Sequence, residues 1–354
     1  MKPCYINSVG SVSTQNTLDN SQFLNEIVNY DSNVIEIIKP NYKEYMQGAS
    51  ARRMAKGVKM GIVASTIALK KAKVDNPDAI ITGTGMGCVI DSEKFVSAMI
   101  DNDEQFLTPT SFIQSTHNTV GGQVALNLKC KSYNFSYVNG AISFESCLID
   151  GQLMLEEGNA KNILIGGIDE LAPHTVAIHK VNDFIKKEEH IGTTEILNSG
   201  TKGAVFGEGA SFFVLSKNAE KNSYAKLLDT SVFAKIKKKE VVNKIADFLK
   251  KNNTQIEDID AIILGKNGDA EYDIYYENVE NTFKNTSQIV YKHLSGEYFT
   301  ASSFGFLIAC NLLKNQELPK ELFLNSTEKN IYQKVLLFNQ YRGKDFGFVL
   351  LEKC

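Results

Sequence analysis

The pattern of apolar and polar positions is clearest in a strand–turn–helix segment near the middle of the chain. Residues 133–138 read Tyr-Asn-Phe-Ser-Tyr-Val, a run rich in aromatic and β-branched side chains that predicts a buried strand. Asn139 and Gly140 follow, a turn dipeptide whose glycine can adopt backbone angles closed to other residues. Residue 141 should then start a helix, where free N–H groups and the helix dipole favour an anion and where many enzymes place a nucleophile. The residue at that position is alanine.

The chain beyond this turn continues the pattern. Apolar residues recur at helical spacing over residues 141–157, and Gly158 stands where a helix-ending glycine is expected. Residues 163–165 form a second apolar run, which leads into Gly166 and Gly167. The segment therefore predicts a strand, a sharp turn, a helix and a second strand that ends in two glycines.

An internal repeat supports an α/β architecture. Residues 78–83, Asp-Ala-Ile-Ile-Thr-Gly, are echoed by residues 260–265, Asp-Ala-Ile-Ile-Leu-Gly. Each copy follows a helical segment, residues 52–72 in the first case and residues 240–252 in the second. Because the copies have matching flanks, the sequence predicts two similar α/β halves.

The two halves are predicted to join at the polar stretch 217–223. This division gives an N-terminal half of residues 1–217 and a C-terminal half of residues 218–354. With 354 residues, of which 43% are hydrophobic, the chain can bury a large core.

Charge and cysteine content exclude several classes of function. The net charge of −3 at pH 7 favours neither nucleic acid nor an anionic membrane. No apolar run approaches membrane-spanning length and no basic, apolar leader opens the chain, so we expect a cytoplasmic protein. The six cysteines are scattered, with no paired spacing and no histidine partners, so they are expected to be reduced thiols. The sequence therefore predicts no metal and no cofactor.

The central segment resembles the β-ketoacyl synthases, the condensing enzymes of the thiolase superfamily. In that family a nucleophilic cysteine sits on such a turn, followed at fixed distances by a helix-ending glycine and a Gly-Gly-x-Glu/Asp strand end. The spacings back from Gly158, and from Gly166, Gly167 and Asp169, both place that cysteine at Ala141. The resemblance implies a thiolase-like fold, with the two α/β halves in a five-layered αβαβα arrangement.

Other stretches extend the resemblance to nearly the whole chain. Residues 107–122 match the family's Ser/Thr-Pro…Asn stretch, which lies against the dimer partner, and residues 203–215 match a glycine-rich strand entry. In the C-terminal half, Gly265 stands where a first catalytic histidine belongs, and Asp273 matches an acid downstream of it.

The second histidine motif of the family is Lys-x-x-x-Gly-His. This chain keeps Lys292 and the glycine, but Glu297 stands at the histidine position. The resemblance therefore implies degenerate catalytic positions at Ala141, Gly265 and Glu297, with Lys292 and Asp273 retained. Since an unpaired buried charge is costly, Lys292 and Glu297 are expected to neutralise one another.

Another nucleophile has weak support in the sequence. Cys147 lies well inside the predicted helix, and Ser143 and Ser146 have no histidine placed by sequence to activate them. The five histidines form no recognisable triad: His117, His174, His179, His190 and His293.

We therefore expect a β-ketoacyl synthase homologue without condensing chemistry of its own. It resembles the chain-length-factor subunits, which pair with an active ketosynthase and an acyl carrier protein in polyketide, polyene or fatty-acid synthesis. Two alternatives stay open: a divergent acyltransferase with an unrecognised nucleophile, and a non-catalytic homodimer that binds acyl chains or acts as a scaffold. Strand 134–138 is expected to pair with its copy in the partner, and Arg52, Arg53 and Lys56 to lie near the acyl entrance.

Overall fold

A computed structural model describes residues 2–19, 23–46, 48–187, 192–193, 195–327 and 331–354 of the chain. Its strands, in chain order from β1 to β11, are Cys4–Val12, Ala79–Gly83, Tyr133–Tyr137, Asn162–Asp169, Gly209–Ser216, Ala225–Ala234, Ala261–Leu264, Ser287–Val290, Phe323–Asn325, Lys334–Tyr341 and Asp345–Glu352. Its α-helices, in chain order from α1 to α11, are Gly48–Ala51, Lys56–Ala72, Val89–Asp101, Pro109–Ser115, Thr119–Leu128, Ser143–Glu157, Pro173–Val181, Val241–Lys251, Ile274–Thr282, Lys292–Ser295 and Ser302–Asn315.

The strands of the described residues form a sheet in the order β3-β2-β4-β5-β1-β6-β11-β10-β7-β8-β9. Read outward from the junction of β1 and β6, the first half runs β1-β5-β4-β2-β3 and the second runs β6-β11-β10-β7-β8. Both halves have two antiparallel pairings followed by two parallel ones. The echoed strands β2 and β7 occupy equivalent positions, which confirms the two similar halves predicted from the repeat. The division at residue 217 stays a prediction.

Helices cover both halves of the sheet and fill the space between them. Helices α2 and α5 pack on the outer face of the first half, and α8 packs on the second beside α9. Helices α6 and α11 contact strands of both halves and share one core with them. Helix α11 is buried from Ser302 to Leu313, as its place in the middle layer requires. The order is helix, sheet, helix, sheet, helix, which agrees with the predicted five layers.

Two local signals in the central segment are confirmed. Gly158 ends α6 with a φ of 80°, a left-handed conformation that glycine adopts without steric cost. Gly140 has a φ of 57° in the turn before the helix. The turn continues as one short 3₁₀ segment, Gly140–Ile142, before α6 begins at Ser143.

The start of α2 differs from the prediction, which opened this helix at Arg52. The helix begins at Lys56, because buried acids hold its first residues there. The Gly57 N–H donates to a Glu170 carboxylate oxygen at 2.5 Å, and Lys56 Nζ lies 2.5 Å from Glu208 Oε1. An acceptor at a helix N-terminus satisfies a free N–H group and complements the helix dipole.

The prediction that strand β3 is buried is wrong for the isolated chain. The strand lies at one end of the sheet and pairs with β2 alone among the described strands. Tyr133 and Phe135 are 44% and 45% exposed, and Val138 just beyond the strand is 41% exposed. A strand at the open edge of a sheet can have the same aromatic composition as a core strand, although no other part of its chain packs over it.

Within the described part of the chain, no helix is both long enough and apolar enough to cross a bilayer.

Candidate functional site

The elbow, defined here as Gly140–Ile142, places Ala141 in the interior. Ala141 is 1% exposed, and its backbone N–H donates to the Asp345 Oδ2 atom at 3.3 Å. The sequence predicted that this helix start would favour an anion. The anion is the chain's own carboxylate, supplied from the first residue of β11.

The hydroxyl groups beside the elbow are held by local hydrogen bonds. Ser143 Oγ lies 2.7 Å from the Gly140 carbonyl oxygen and 3.0 Å from that of Thr84, and it accepts the Asn139 N–H at 2.8 Å. Ser146 Oγ donates to the Ile142 carbonyl oxygen at 2.8 Å. These protons go to backbone oxygens, which do not activate a nucleophile as a general base would.

The thiol of Cys147 is equally unsuited to nucleophilic attack. It is fully buried in α6 and donates to the Ser143 carbonyl oxygen at 3.2 Å. Burial raises the pKa of this thiol well above its usual value, so the reactive thiolate is disfavoured.

Gly265 lies just after β7, and the space around it is filled. A Cβ atom at this position would overlap the side-chain oxygen of Asn339 and would stand 2.9 Å from the Tyr276 hydroxyl. Asn339 comes from β10 and Tyr276 from α9, so the second half of the chain supplies both groups. A histidine at residue 265 would have no room here unless these two side chains moved.

Lys292 and Glu297 form a buried ion pair, which confirms the pairing predicted from the sequence. Lys292 Nζ lies 2.8 Å from Glu297 Oε2, and the two side chains are 1% and 3% exposed. The Asn267 amide donates to the same carboxylate oxygen at 2.7 Å. Burial raises the pKa of Glu297, and Lys292 and then Asn267 counter part of that effect. The other oxygen, Oε1, has no hydrogen-bond partner among the described residues.

Asp273 serves the loop that follows β7. Its carboxylate accepts the N–H groups of Asn267 at 3.2 Å and of Gly268 at 2.8 Å. Burial raises the pKa of this carboxyl to about 7, and the two backbone donors act in the opposite direction. Since the Asn267 amide also donates to Glu297, Asp273 helps to position a hydrogen-bond partner of Glu297.

Two acids at this site were missed by the sequence reasoning. Glu145, in the first turn of α6, is 1% exposed, and neither carboxylate oxygen has a hydrogen-bond partner among the described residues. Burial raises its pKa to about 7, an effect that the charge of Lys292 only partly offsets. The second acid is Asp345 on the elbow. The anion predicted at the helix start was the signal that could have found it, since Asp345 is an acid at the start of the last strand, β11.

The structure brings most of the predicted positions into one region. Burial, followed by the charges of Glu297 and Asp345 among others, raises the pKa of Tyr341, so its ring lies within electrostatic reach of both acids. Tyr341 is therefore near both the Lys292–Glu297 pair and Asp345, the residue that accepts the Ala141 N–H. His293 Nε2 hydrogen bonds to the Glu321 carbonyl oxygen at 3.0 Å, the His179 ring stacks on Phe184, and His190 lies outside the described residues.

Comparison with known proteins gives a family match and whole-chain structural matches. Residues 42–191 match the family model described as "Beta-ketoacyl synthase, N-terminal domain". The chain is similar to 3-oxoacyl-(acyl-carrier-protein) synthase 2 of Staphylococcus aureus, with 23% identity over 183 residues. That alignment covers 49% of this chain and 44% of the relative, so the chain spans less than half the length of the curated relatives it matches.

Solved structures match over the full length. The ishigamide ketosynthase/chain length factor has a TM-score of 0.83 at 13% identity, with coverage of 100% of this chain and 99% of that one. The ketosynthase ApeO in complex with its chain length factor ApeC, from Xenorhabdus doucetiae, has a TM-score of 0.79 at 14% identity, with coverage of 100% and 98%. At these identities the likeness establishes a shared fold.

Proposed function

We propose that the chain is a member of the β-ketoacyl synthase family and serves as the non-condensing subunit of a ketosynthase heterodimer. In this proposal it acts as a chain-length factor does. It pairs with an active ketosynthase, shapes the space for the growing chain, and works with substrates carried on an acyl carrier protein. The products belong to polyketide, polyene or fatty-acid synthesis.

The observation that carries the proposal is the set of side chains at the three family catalytic positions. Condensation needs a thiolate to accept the acyl group and imidazoles to stabilise the enolate and the oxyanion. Ala141 offers a methyl group, and Gly265 offers no side chain in a space that Asn339 already fills. Glu297 is bound to Lys292. An ionised carboxylate there would repel the enolate that an imidazole stabilises.

The need for a partner is supported by the exposed edge of the first half. Tyr133 and Phe135 on β3 are nearly half exposed, and further apolar side chains on α4 and α5 are open as well: Phe112 at 55%, Ile113 at 57% and Leu126 at 70%. A soluble chain rarely leaves an aromatic strand edge and a neighbouring apolar patch uncovered. Two of the solved structures that share this fold are ketosynthase and chain-length-factor assemblies.

Co-expression tests the proposal directly. The chain is produced with the ketosynthase and carrier protein encoded beside it, and the carrier-bound products are identified by mass spectrometry. We expect chain extension only when both subunits are present. Elongation by the chain alone would contradict the proposal and favour the acyltransferase alternative, and equal products with and without this chain would favour a scaffold.

A further inference from the structure

The turn between β10 and β11 lies over the elbow. Tyr341 and Asp345 pair across this turn, and the two residues at its tip, Arg342 and Gly343, have φ values of 50° and 63°. A tight turn of this kind, with both tip residues in the left-handed region, fixes the strands closely together. On its inner side, the Asp345 carboxylate accepts the Ala141 N–H.

The outer side of the same turn is fixed by Arg342. Its guanidinium carbon lies 3.5 Å from the centre of the Phe184 ring and 4.7 Å from the centre of the Tyr272 ring. Its Nη1 atom lies 4.0 Å from Asp269 Oδ2, and the side chain is only 17% exposed. A planar guanidinium suits such a position, because it can lie against aromatic faces and still approach a carboxylate.

Arg342 joins the two halves of the molecule at this point. Phe184 follows α7 in the first half, whereas Asp269 and Tyr272 belong to the loop after β7 in the second. The ring contacts continue within the first half of the chain. Phe184 stacks on His179, with 5.5 Å between the ring centres. His179 in turn lies 5.0 Å from the Phe206 ring.

One small cavity borders this row of rings. A cavity of about 40 Å³ has His179, Phe206 and Phe299 in its lining. That volume holds a water molecule or two, far less than a carrier-bound acyl thioester needs. Phe299 itself packs against the Tyr341 ring at 5.2 Å.

We propose that Arg342 closes this chain's own route from the surface to the elbow. The proposal builds on the proposed function, because it assigns the entry of a carrier-bound acyl thioester to the partner subunit alone. Arg342 is then a residue that determines which of the two subunits admits the substrate. Its side chain blocks the seam between Phe184 and Tyr272, and the turn beneath it holds Asp345 on the elbow.

A reporter thiol at the elbow tests the closure without any assay of condensation. In the Ala141→Cys variant of the full chain, alone and with its co-purified partner, labelling by iodoacetamide is followed over time. Peptide fragmentation separates the introduced cysteine from the neighbouring Cys147. The exposed Cys354 of the same molecule serves as the internal reference. We expect labelling of the introduced thiol to be at least a hundredfold slower than labelling of Cys354.

Adding Arg342→Gly should then raise the labelling rate of the introduced thiol at least tenfold. Glycine suits the φ of 50° at this position, so the turn itself is preserved. Removing the positive charge of Arg342 would raise the pKa of the introduced thiol and slow its labelling. A faster rate would therefore mean that iodoacetamide reaches the thiol more easily. Lys235→Gly is the matched control, since Lys235 has a φ of 55° and its N–H donates to the Lys344 carbonyl oxygen at 2.7 Å in the same region.

Two results would overturn the proposal. One is fast labelling of the introduced thiol while Arg342 is intact, and the other is an unchanged rate in a folded Arg342→Gly variant. If Arg342→Gly does not fold, Arg342→Lys decides, because an ammonium cannot fill the planar slot and at least a threefold rise is expected. An unchanged rate in that variant also overturns the proposal. Failure here leaves the heterodimer proposal standing, since product analysis after co-expression tests that separately.

Discussion

Residue 141 carries a methyl group where the resemblance to β-ketoacyl synthases implies a cysteine, and the backbone around it still forms a turn and a helix start. Gly140 holds its positive φ, α6 starts at Ser143, and the Ala141 N–H has an acceptor in Asp345. The helix start is therefore retained as structure. The condensing chemistry that the resemblance implies would also need imidazoles, which Gly265 and Glu297 do not supply.

Restoring the thiol alone should not restore condensation. We expect Ala141→Cys to show at most slow acylation by an acyl thioester, because Asp345 disfavours a second anion at the elbow and both imidazoles are absent. Intact-mass measurement follows acylation, and radiolabelled malonyl substrate follows elongation. Ala72→Cys, at another buried alanine, is the control for unspecific acylation. Steady elongation by Ala141→Cys would show that the site is still competent.

Glu145 should make stability depend on pH. Its folded pKa of about 7 lies above the ordinary 4.5, so the folded chain holds a proton between these values that the unfolded chain has released. Stability therefore falls as pH rises from about 4.5 to about 7 and stays lower above that range. Glu145→Gln removes this dependence. The measured quantity is the unfolding free energy of the variant minus that of the parent. We expect this difference to be up to about 3 kcal/mol larger at pH 8 than at pH 5.

Denaturant titration at several pH values measures this effect. Glu157→Gln on the same helix is the matched control, because Glu157 is exposed and its removal should change little at any pH. A pH-independent difference between Glu145→Gln and the parent would mean that Glu145 has an ordinary pKa in the folded chain.

The Lys292–Glu297 pair should behave as a buried unit. Lys292→Met leaves Glu297 without its counterion in the interior, which should cost about 3–5 kcal/mol of unfolding free energy. Adding Glu297→Gln should recover a large part of that loss. The exposed pair Lys238–Glu277 provides the comparison, since its side chains are 39% and 56% exposed and Lys238→Met should cost under about 1 kcal/mol. Additive losses in the Lys292 and Glu297 variants would argue against coupling.

Among the elements, the N-terminus of α2 has a role that its charges did not reveal. Of the three basic residues predicted near the acyl entrance, Lys56 is bound to the fully buried Glu208, whereas Arg52 and Arg53 are exposed. Lys56 therefore has a structural role, and a charge reversal at this residue would change the stability of the fold. Of the three basic side chains, those of Arg52 and Arg53 are the two exposed to solvent.

We expect Arg52→Glu with Arg53→Glu to have little effect on carrier binding, because the partner subunit should hold the main docking surface. Binding is measured by fluorescence anisotropy with labelled carrier protein at low and moderate salt. Lys70→Glu with Lys71→Glu, at the exposed far end of the same helix, is the control. A large loss that shrinks with added salt would place carrier docking on this subunit.

On the scale of the whole molecule, β3 is an edge strand that pairs with β2 alone among the described strands. A sheet that continues into a partner would cover Tyr133 and Phe135 and pair the free backbone groups of the strand. Such large interfaces are usually obligate. Two copies of this chain could also pair, although that dimer would contain no cysteine at either elbow.

Pull-down from the native host should recover an active ketosynthase bound to this chain. Phe135→Asp should abolish that recovery, since a charge on the shared edge would be buried unpaired. Ile178→Asp is the control, because Ile178 is 58% exposed and belongs to a different element, α7. Recovery of a homodimer alone would refute the heterodimer and favour the scaffold.

The sequence by itself determined what depends on neighbouring residues. Gly140 predicted the turn before α6 and Gly158 predicted its C-terminal end, since few other residues adopt a positive φ. The echo of residues 78–83 in 260–265 predicted two halves. Lys292 and Glu297 lie only 5 positions apart, which was close enough to predict their ion pair.

The tertiary structure decided what depends on distant parts of the chain. Asp345 meets Ala141 across 204 positions, and Asn339 fills the space beside Gly265, which no spacing rule reports. For the same reason, the sequence did not show that Phe135 is exposed. An apolar strand has one composition whether its cover comes from its own chain or from a partner. Local backbone conformation depends on adjacent residues, so the sequence predicts it. The side chains that fill a site come from distant parts of the chain, so only the folded structure shows them.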